Sequence, residues 1–276
     1  MTITARGRRT SNDPLAAIQD ASPPTYDLTY RDAFWSVRPY EDRCDRLAIR
    51  ALLPFGGGGH LLDLGAGFGR LVDEYAQFEA VTLVDASPTM IETARERVGA
   101  DPRFTVTAAD AARLPIPTGS IDVIIAVRLL VHIADPAALF REIARVLRPG
   151  GTLIVEFPNR RHLLAGLRYL AGRQDWSPLA REPREYLEGH FAHHPGLIDR
   201  QLRGAGLSPD ARLAVSLFRS AWLTRRIPAR VLAAIERPLQ RPLGHLTPGP
   251  SVYVRSIRSV STEGVRIGSP NRKPTG

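Results

Sequence analysis

Asp63 stands two residues ahead of three glycines at alternate positions, Gly65, Gly67 and Gly69, in the stretch LLDLGAGFGRL (61–71). An apolar strand running into such a turn brings backbone close beneath a ligand, because glycine tolerates left-handed conformations and presents no Cβ. The spacing is neither the GxGxxG of a dinucleotide site nor the GxxxxGK of a phosphate loop. A carboxylate ahead of the turn has the wrong charge for phosphates and the right one for the ammonium of an amino acid tail. Two more acids follow at strand ends. Asp85 closes VTLVDA, 22 residues after Asp63, where a carboxylate accepts from two ribose hydroxyls. Asp110 closes FTVTAAD, where it accepts from an exocyclic amine while the Ala111 amide donates to a ring nitrogen.

A second group of residues follows the fourth apolar run, in AVRLLVHIADP. His132 has the side chain best suited to removing a proton near neutrality, with an ordinary pKa of about 6.5; the alternative is a packed, structural histidine. Arg128 in the same stretch is expected to touch the ligand turn or an acidic acceptor. His190, His193 and His194 in GHFAHHPG read as helix entry or pocket lining rather than zinc ligands, because neighbouring side chains at 193 and 194 diverge in either regular structure and no Cys or acid pair accompanies them. No metal site is expected.

The elements that must position these residues alternate short β-branched runs with amphipathic runs, the pattern of a parallel sheet covered on both faces by helices. Strands are expected at HLLDLG, VTLVDA, FTVTAAD, IDVIIAV and GTLIVEF, with helices near 69–77, 88–98 and 136–147. The last helix places Leu139, Ile143 and Val146 on one face and stops at Pro149 and Gly150. A further helix, PGLIDRQLRGAGL, and two late strands, ARLAVSLF and SVYVRSI, are expected to finish the sheet with an antiparallel edge. The fold class is therefore α/β: a doubly wound, mostly parallel, seven-stranded Rossmann-like sheet with an antiparallel last strand. Residues 1–24 and 259–276 read as flexible arms around one domain, 25–258, with a ligand-binding core over 58–157 and cap insertions at about 158–192 and 219–248.

The four stretches DLGAGFGR, LVDASPTMI, AADAARLPIPTGSIDVII and LFREIARVLRPGGTLIVEF, in this order, resemble the class I S-adenosylmethionine-dependent methyltransferases, in particular the "type 11" members that act on quinones, sterols and other small molecules. The resemblance is strong over about 60–157 and weaker beyond. It implies S-adenosyl-L-methionine as cofactor and methyl transfer to a small-molecule acceptor. It also implies that Asp63, Gly65, Ala66, Gly67 and Gly69 line the methionine moiety, that Asp85 binds ribose, that Ala86 and Met90 pack near the adenine, and that Asp110 and Ala111 hold its edge. In this family an N-terminal segment often closes over the cofactor, so Tyr30, Trp35 and Arg38 are candidates for the acceptor cavity; an aromatic stripe packed on the sheet is the alternative. Taken singly, Asp63 could cap a helix, Met90 could be plain core and Gly67 could serve close packing.

Composition bounds these readings. The chain of 276 residues is 43% hydrophobic and 24% charged, suited to a soluble globular protein. Its lone cysteine, Cys44, and the absence of a signal-like apolar stretch suit a reducing, cytoplasmic setting. The net charge of +9 lies in the second half: residues 1–156 hold 17 Arg against 20 acids, and residues 157–276 hold 20 Arg and Lys against 8 acids. That half could meet phosphates, an anionic membrane surface or an acidic substrate, or its arginines could simply be solvated. A nucleic-acid methyltransferase is the first rival reading, weakened because the fourth-strand exit AVRLLVH lacks the Asn-Pro-Pro-aromatic turn used on bases. A second is a non-catalytic or membrane-peripheral module, in which RSAWLTRRIPARVLAAIERPLQRPL sets apolar residues among arginines as an interfacial helix would; a lid or dimer contact would use the same pattern. A dehydrogenase lacks its glycine signature. The acceptor, the methylated atom and the oligomeric state are not encoded in any motif.

Overall fold

The computed structural model describes residues 34–54, 56 and 58–260. Tyr30, the first arm, and residues 261–276 of the second lie outside them. Among the described residues, helix α1 (Pro39–Leu52) precedes the sheet. The core then runs β1 (His60–Leu64), β2 (Ala80–Asp85), α2 (Pro88–Val98), β3 (Phe104–Ala108), β4 (Ile121–Ala126), α3 (Ala137–Val146) and β5 (Leu147–Pro158). After it come α4 (Leu163–Leu170), β6 (Arg184–Leu187), β7 (His190–Ala192), α5 (Pro195–Gly204), β8 (Leu207–Val215), α6 (Ala221–Arg226), α7 (Ala229–Gln240) and β9 (Ser251–Arg258).

Seven strands form one sheet in the order β3-β2-β1-β4-β5-β9-β8, so the chain order reverses between β1 and β4. The first five strands are parallel, and β9 runs antiparallel to both its neighbours. The expected antiparallel strand is thus present but internal: β9 is inserted between β5 and β8, and β8 forms the edge. β9 can occupy this inner position because it is apolar on both faces, with Val252, Tyr253 and Val254 all fully buried.

The two-residue period of the strands sorts side chains to the two faces. Leu61, Ile125, Ile154 and Tyr253 pack toward α1 and α7, whereas Leu62, Leu64, Ile124 and Val155 pack toward α3 and α5. Asp63, two residues after Leu61, therefore points toward the α1 side. α2 begins where expected, with Ser87 accepting from the Met90 amide as its N-cap. The helix expected near 69–77 is instead a 3-10 turn, Val72–Tyr75. Its bonds run from residue i to i−3, as in Val72 to Gly69 and Glu74 to Leu71, because Gly69 takes a positive φ of 73° and Arg70 is drawn inward to acids of α1. The β6–β7 hairpin was not legible in the sequence: it is short, and its histidines and acids show no strand alternation.

α7 is fastened to α1 and to the end of β8 through a buried carboxylate. Glu236 accepts from the amides of Ser216 and Leu217, from Gln240 and from the Tyr40 hydroxyl, while that hydroxyl accepts from the Phe218 amide. Truncating it strands these donors. Glu236→Ala is expected to lower unfolding free energy by about 3 kcal/mol in urea titration, whereas Val231→Ala on the exposed face of the same helix costs about 0.5 kcal/mol or less.

Candidate functional site

The C-terminal end of β1, where the chain order reverses, carries the glycine turn. Gly65, Gly67 and Gly69 all have positive φ, at 78°, 55° and 73°. A Cβ on Gly65 would press on Leu129 at 3.2 Å, while one on Gly67 would meet nothing within 4 Å, so Gly67 is required by conformation alone. Asp85 holds the turn in place. One of its oxygens accepts from the Gly67 amide at 2.9 Å, and the other accepts from the Ser87 amide at 2.9 Å. Each carboxylate oxygen retains a second lone pair for a ligand hydroxyl.

Beneath the turn lies a recess lined by Trp35, Asp63, Gly65, Ala66, Gly67, Phe68, Arg70, Leu71, Val127 and Arg128. Asp63 is 2% exposed and accepts from the Tyr75 hydroxyl at 2.8 Å. Burial pushes its carboxyl up to about 7, against the opposing pull of the Tyr75 hydrogen bond and the Arg70 charge. The same burial, with the Asp63 charge beside it, drives the Tyr75 phenol well above its ordinary value. Arg70 stacks on Trp35 at 3.7 Å, and Arg128 lies 5.9 Å from the same ring. One recess therefore offers a carboxylate and two guanidinium groups side by side.

The two arginines are held by acids of the interior. Arg70 donates to Asp42 at 2.5 Å and to Asp45 at 2.9 Å. Arg128 donates to both oxygens of Asp45 at 3.1 and 3.2 Å, and its amide donates to Glu156 at 3.0 Å. Asp45 also accepts from Tyr253 at 2.8 Å, and Glu156 accepts from Ser251 at 2.5 Å. These bonds hold Arg128 at φ 61°, a left-handed conformation that costs a non-glycine residue about 1 to 2 kcal/mol. The acid expected opposite Arg128 is thus supplied, in this structure, by the chain itself.

The remaining candidates are spread over a wider surface. Ala86 is exposed beside Asp85, whereas Met90 is wholly buried on the inner face of α2. Asp110 is exposed and accepts from the Ala112 amide at 2.9 Å, with Ala111 half-buried against the α3-side core. Arg38 lies 3.9 Å over the Phe34 ring and is not among the residues lining the recess.

His132 ends a 3-10 turn, Leu130–His132, beyond β4. The β6–β7 hairpin covers it: the His132 and His190 rings meet edge to face at 4.9 Å, and Tyr186 lies 6.3 Å from His190. Burial lowers the His132 pKa to about 4, helped by His190 and opposed by a hydrogen bond to the Gly189 backbone. Its imidazole is neutral at physiological pH. His193 bonds the Leu130 carbonyl at 3.0 Å, and His194 caps α5 by accepting from the Gly196 amide at 3.0 Å. Asp45, Arg70, Tyr75, Glu156 and Tyr186 escaped the sequence reading. Asp45 alone carried a local signal, as an acid set in the apolar stripe of Ala48, Ile49 and Leu52 at helical spacing.

Comparison with known proteins places this geometry in context. Residues 62–155 match the family model described as a methyltransferase domain. The chain is 40% identical over 190 residues to the 27-O-demethylrifamycin SV methyltransferase of Amycolatopsis mediterranei, covering 64% of each chain. It is 36% identical over 124 residues to the ubiquinone biosynthesis O-methyltransferase of Xanthomonas campestris pv. campestris, covering 43% of this chain and 49% of the relative. An S-adenosylmethionine-dependent methyltransferase structure from Mesorhizobium loti superposes with a TM-score of 0.54 at 25% identity, covering 76% of this chain and 96% of that one. The chain spans between about half and just under two thirds of the length of the curated relatives it matches.

The interior acids yield a test independent of turnover. Asp45→Ala leaves Arg70 and Arg128 without their shared buried counter-charge, and is expected to cost about 3 to 5 kcal/mol in chemical denaturation. Asp73→Ala, in an exposed pair with Arg97, should cost less than about 1 kcal/mol.

Proposed function

We propose that this chain, whose residues 62–155 match a methyltransferase domain, is a class I S-adenosylmethionine-dependent methyltransferase that transfers a methyl group from S-adenosyl-L-methionine to a small-molecule acceptor. The observation that carries the proposal is the recess in which Asp63 faces Arg70 and Arg128 beside the glycine turn. A zwitterionic amino acid tail, ammonium toward the carboxylate and carboxylate toward the guanidinium groups, matches that charge arrangement. In this reading Asp85 accepts from ribose hydroxyls, and Asp110 with the Ala111 amide meets the adenine edge. When bound, the cofactor supplies an activated methyl carbon on a sulfonium, so that transfer is an in-line displacement. The protein's contribution is orientation, for which effective molarities of about 10⁵ to 10⁸ M are the relevant scale.

His132 is the proton acceptor in this reading. Its ring is bonded to the Gly189 backbone, and in this reading the neutral imidazole takes the acceptor's proton. A hydroxyl becomes strongly acidic as its oxygen is alkylated, so an imidazole weakened by burial still takes the proton. The names of two relatives, one O-methylating in ubiquinone biosynthesis and one acting on a demethylrifamycin, favour a hydroxyl-bearing acceptor. Trp35 forms the wall between the methionine end of the site and the acceptor, and Tyr186 and His190 roof the acceptor side. The single, buried Cys44 suits a reducing, cytoplasmic compartment.

Two measurements test this. S-adenosylhomocysteine carries the same amino acid tail, and its ammonium requires Asp63 ionised. The folded carboxyl has a raised pKa near 7, so the ionised fraction grows as pH rises through that value. Affinity by calorimetry is expected to rise between pH 6 and 8 by up to about tenfold and then level off, and to become weak and flat in Asp63→Asn; a pH-independent wild type contradicts the assignment. With an acceptor found by mass spectrometry of labelled extract, His132→Ala should lose about 10² to 10³ in kcat while homocysteine-cofactor affinity stays within about twofold. Full turnover across pH would remove His132 from the mechanism.

A further inference from the structure

The large apolar side chains that remain exposed among the described residues are not scattered. All but Val37 and Val260 fall between Leu163 and Leu246. α4 presents Leu163, Leu167 and Leu170 at 59%, 53% and 84% exposure, and Leu246 beside it is 68% exposed. Together with Leu243 and Leu179 these leucines line an open groove of about 580 Å³ between α4 and the turn after α7. The Leu163 amide donates to the Pro248 carbonyl, joining the two walls. Val231, Ile235 and Leu239 form an exposed stripe at four-residue spacing on α7, and the Leu243 amide bonds to the Leu239 carbonyl, so the stripe runs on into the groove. An apolar surface this extensive, left open to water on a folded domain, marks a contact site.

The charges around it are predominantly basic. Residues 157–174 contain Arg160, Arg161, Arg168 and Arg173 and no acid. Residues 211–260 contain one acid, Glu236, which is fully buried and hydrogen-bonded. Arg161, Arg173, Arg230, Arg237 and Arg241 are exposed. Leucines rimmed mainly by arginines, with Asp175 and Glu182 the exposed acids that flank the Leu179 wall, match the acyl region and headgroups of an anionic bilayer. Among the described residues no helix is long and apolar enough to cross a membrane, so the contact is peripheral. α4 begins five residues after Pro158, at the C-terminal end of β5 and thus at the end of the sheet that carries the glycine turn.

We propose that the α4 face, with the groove it shares with the turn after α7, docks this protein on an anionic lipid bilayer. The leucines enter the acyl boundary, the arginines remain among the headgroups, and the ligand-binding end of the sheet is held near the membrane. The docking requires neither cofactor nor turnover, so its failure leaves the methyl-transfer reading untouched, and the converse also holds.

Sedimentation with vesicles of equal parts phosphatidylglycerol and phosphatidylcholine tests it at low salt, with pure phosphatidylcholine vesicles as the control. The full chain is expected to sediment with the anionic vesicles and not with the control, and to be released several-fold by added salt. The variant Leu163→Ser/Leu167→Ser/Leu170→Ser changes exposed side chains only and should keep its thermal midpoint while losing at least about tenfold in partitioning. Arg161→Glu/Arg173→Glu should lose a similar factor, on anionic vesicles alone. The proposal is overturned if the wild type stays in solution, or if the leucine variant sediments equally well. It is equally overturned if light scattering shows the leucines holding two copies together with no vesicle binding, which would make the face a homodimer contact.

Discussion

A carboxylate cut off from water, Asp45, accepts hydrogen bonds from three donors that arrive on three separate parts of the chain: Arg70 after the glycine turn, Arg128 at the exit of β4, and Tyr253 on β9. An unpaired charge at this depth would cost several kcal/mol. The three donors together satisfy it, and two of them, Arg70 and Arg128, line the recess beside the glycine turn. α1, which carries Asp45, is in turn clamped by α7 through the Tyr40 and Glu236 contact. Two buried acids, Asp45 and Glu236, therefore tie α7 through α1 to the glycine turn.

Around that point the sheet divides the labour by side-chain parity. The α3 and α5 face is an uninterrupted apolar core, supplied by Leu62, Leu64, Ile124 and their neighbours. The α1 and α7 face is apolar only up to the C-terminal ends of the strands, where Asp63, Glu156 and Arg128 replace aliphatic residues. Polar groups gathered at one end of one face of a parallel sheet are where a ligand can reach backbone and side chains together. The two faces also explain why Asp63 is so strongly perturbed. It occupies a core position by strand register and accepts a hydrogen bond from Tyr75 in place of solvation.

The acceptor side is built differently. His132 follows β4 of the parallel core, but the His190 ring and Gly189 backbone that meet it belong to the hairpin inserted between β5 and α5. The ring that would take a proton and the roof that keeps it neutral thus belong to separable parts of the chain. The same insertion contains α4, whose outer face is apolar and basic, so one stretch of about thirty residues both covers His132 and presents an exposed apolar face.

Much of the fold was legible in the sequence because strand and helix periods, glycine spacing and capping residues act over a few positions. The seven strands of the sheet, α2, α3 and α5 follow from such local patterns, and Asp63, Asp85 and Asp110 stand out because each ends an apolar run. The turn after Gly69 failed as a helix because Arg70 is pulled toward Asp42 and Asp45, a long-range attraction that no local window contains. The insertion of β9 between β5 and β8 was likewise undetermined, since either late strand has the apolar pattern of an inner position. Sequence by itself determined which residues could chelate an ammonium, a ribose and a base, because that depends on residue type at strand ends. Only the tertiary structure decided the protonation of Asp63 and His132, the partners of Arg128 and the exposure of the α4 leucines. Those properties depend on burial and charge contributed by residues as far apart as Asp45 and Tyr253, 208 positions along the chain.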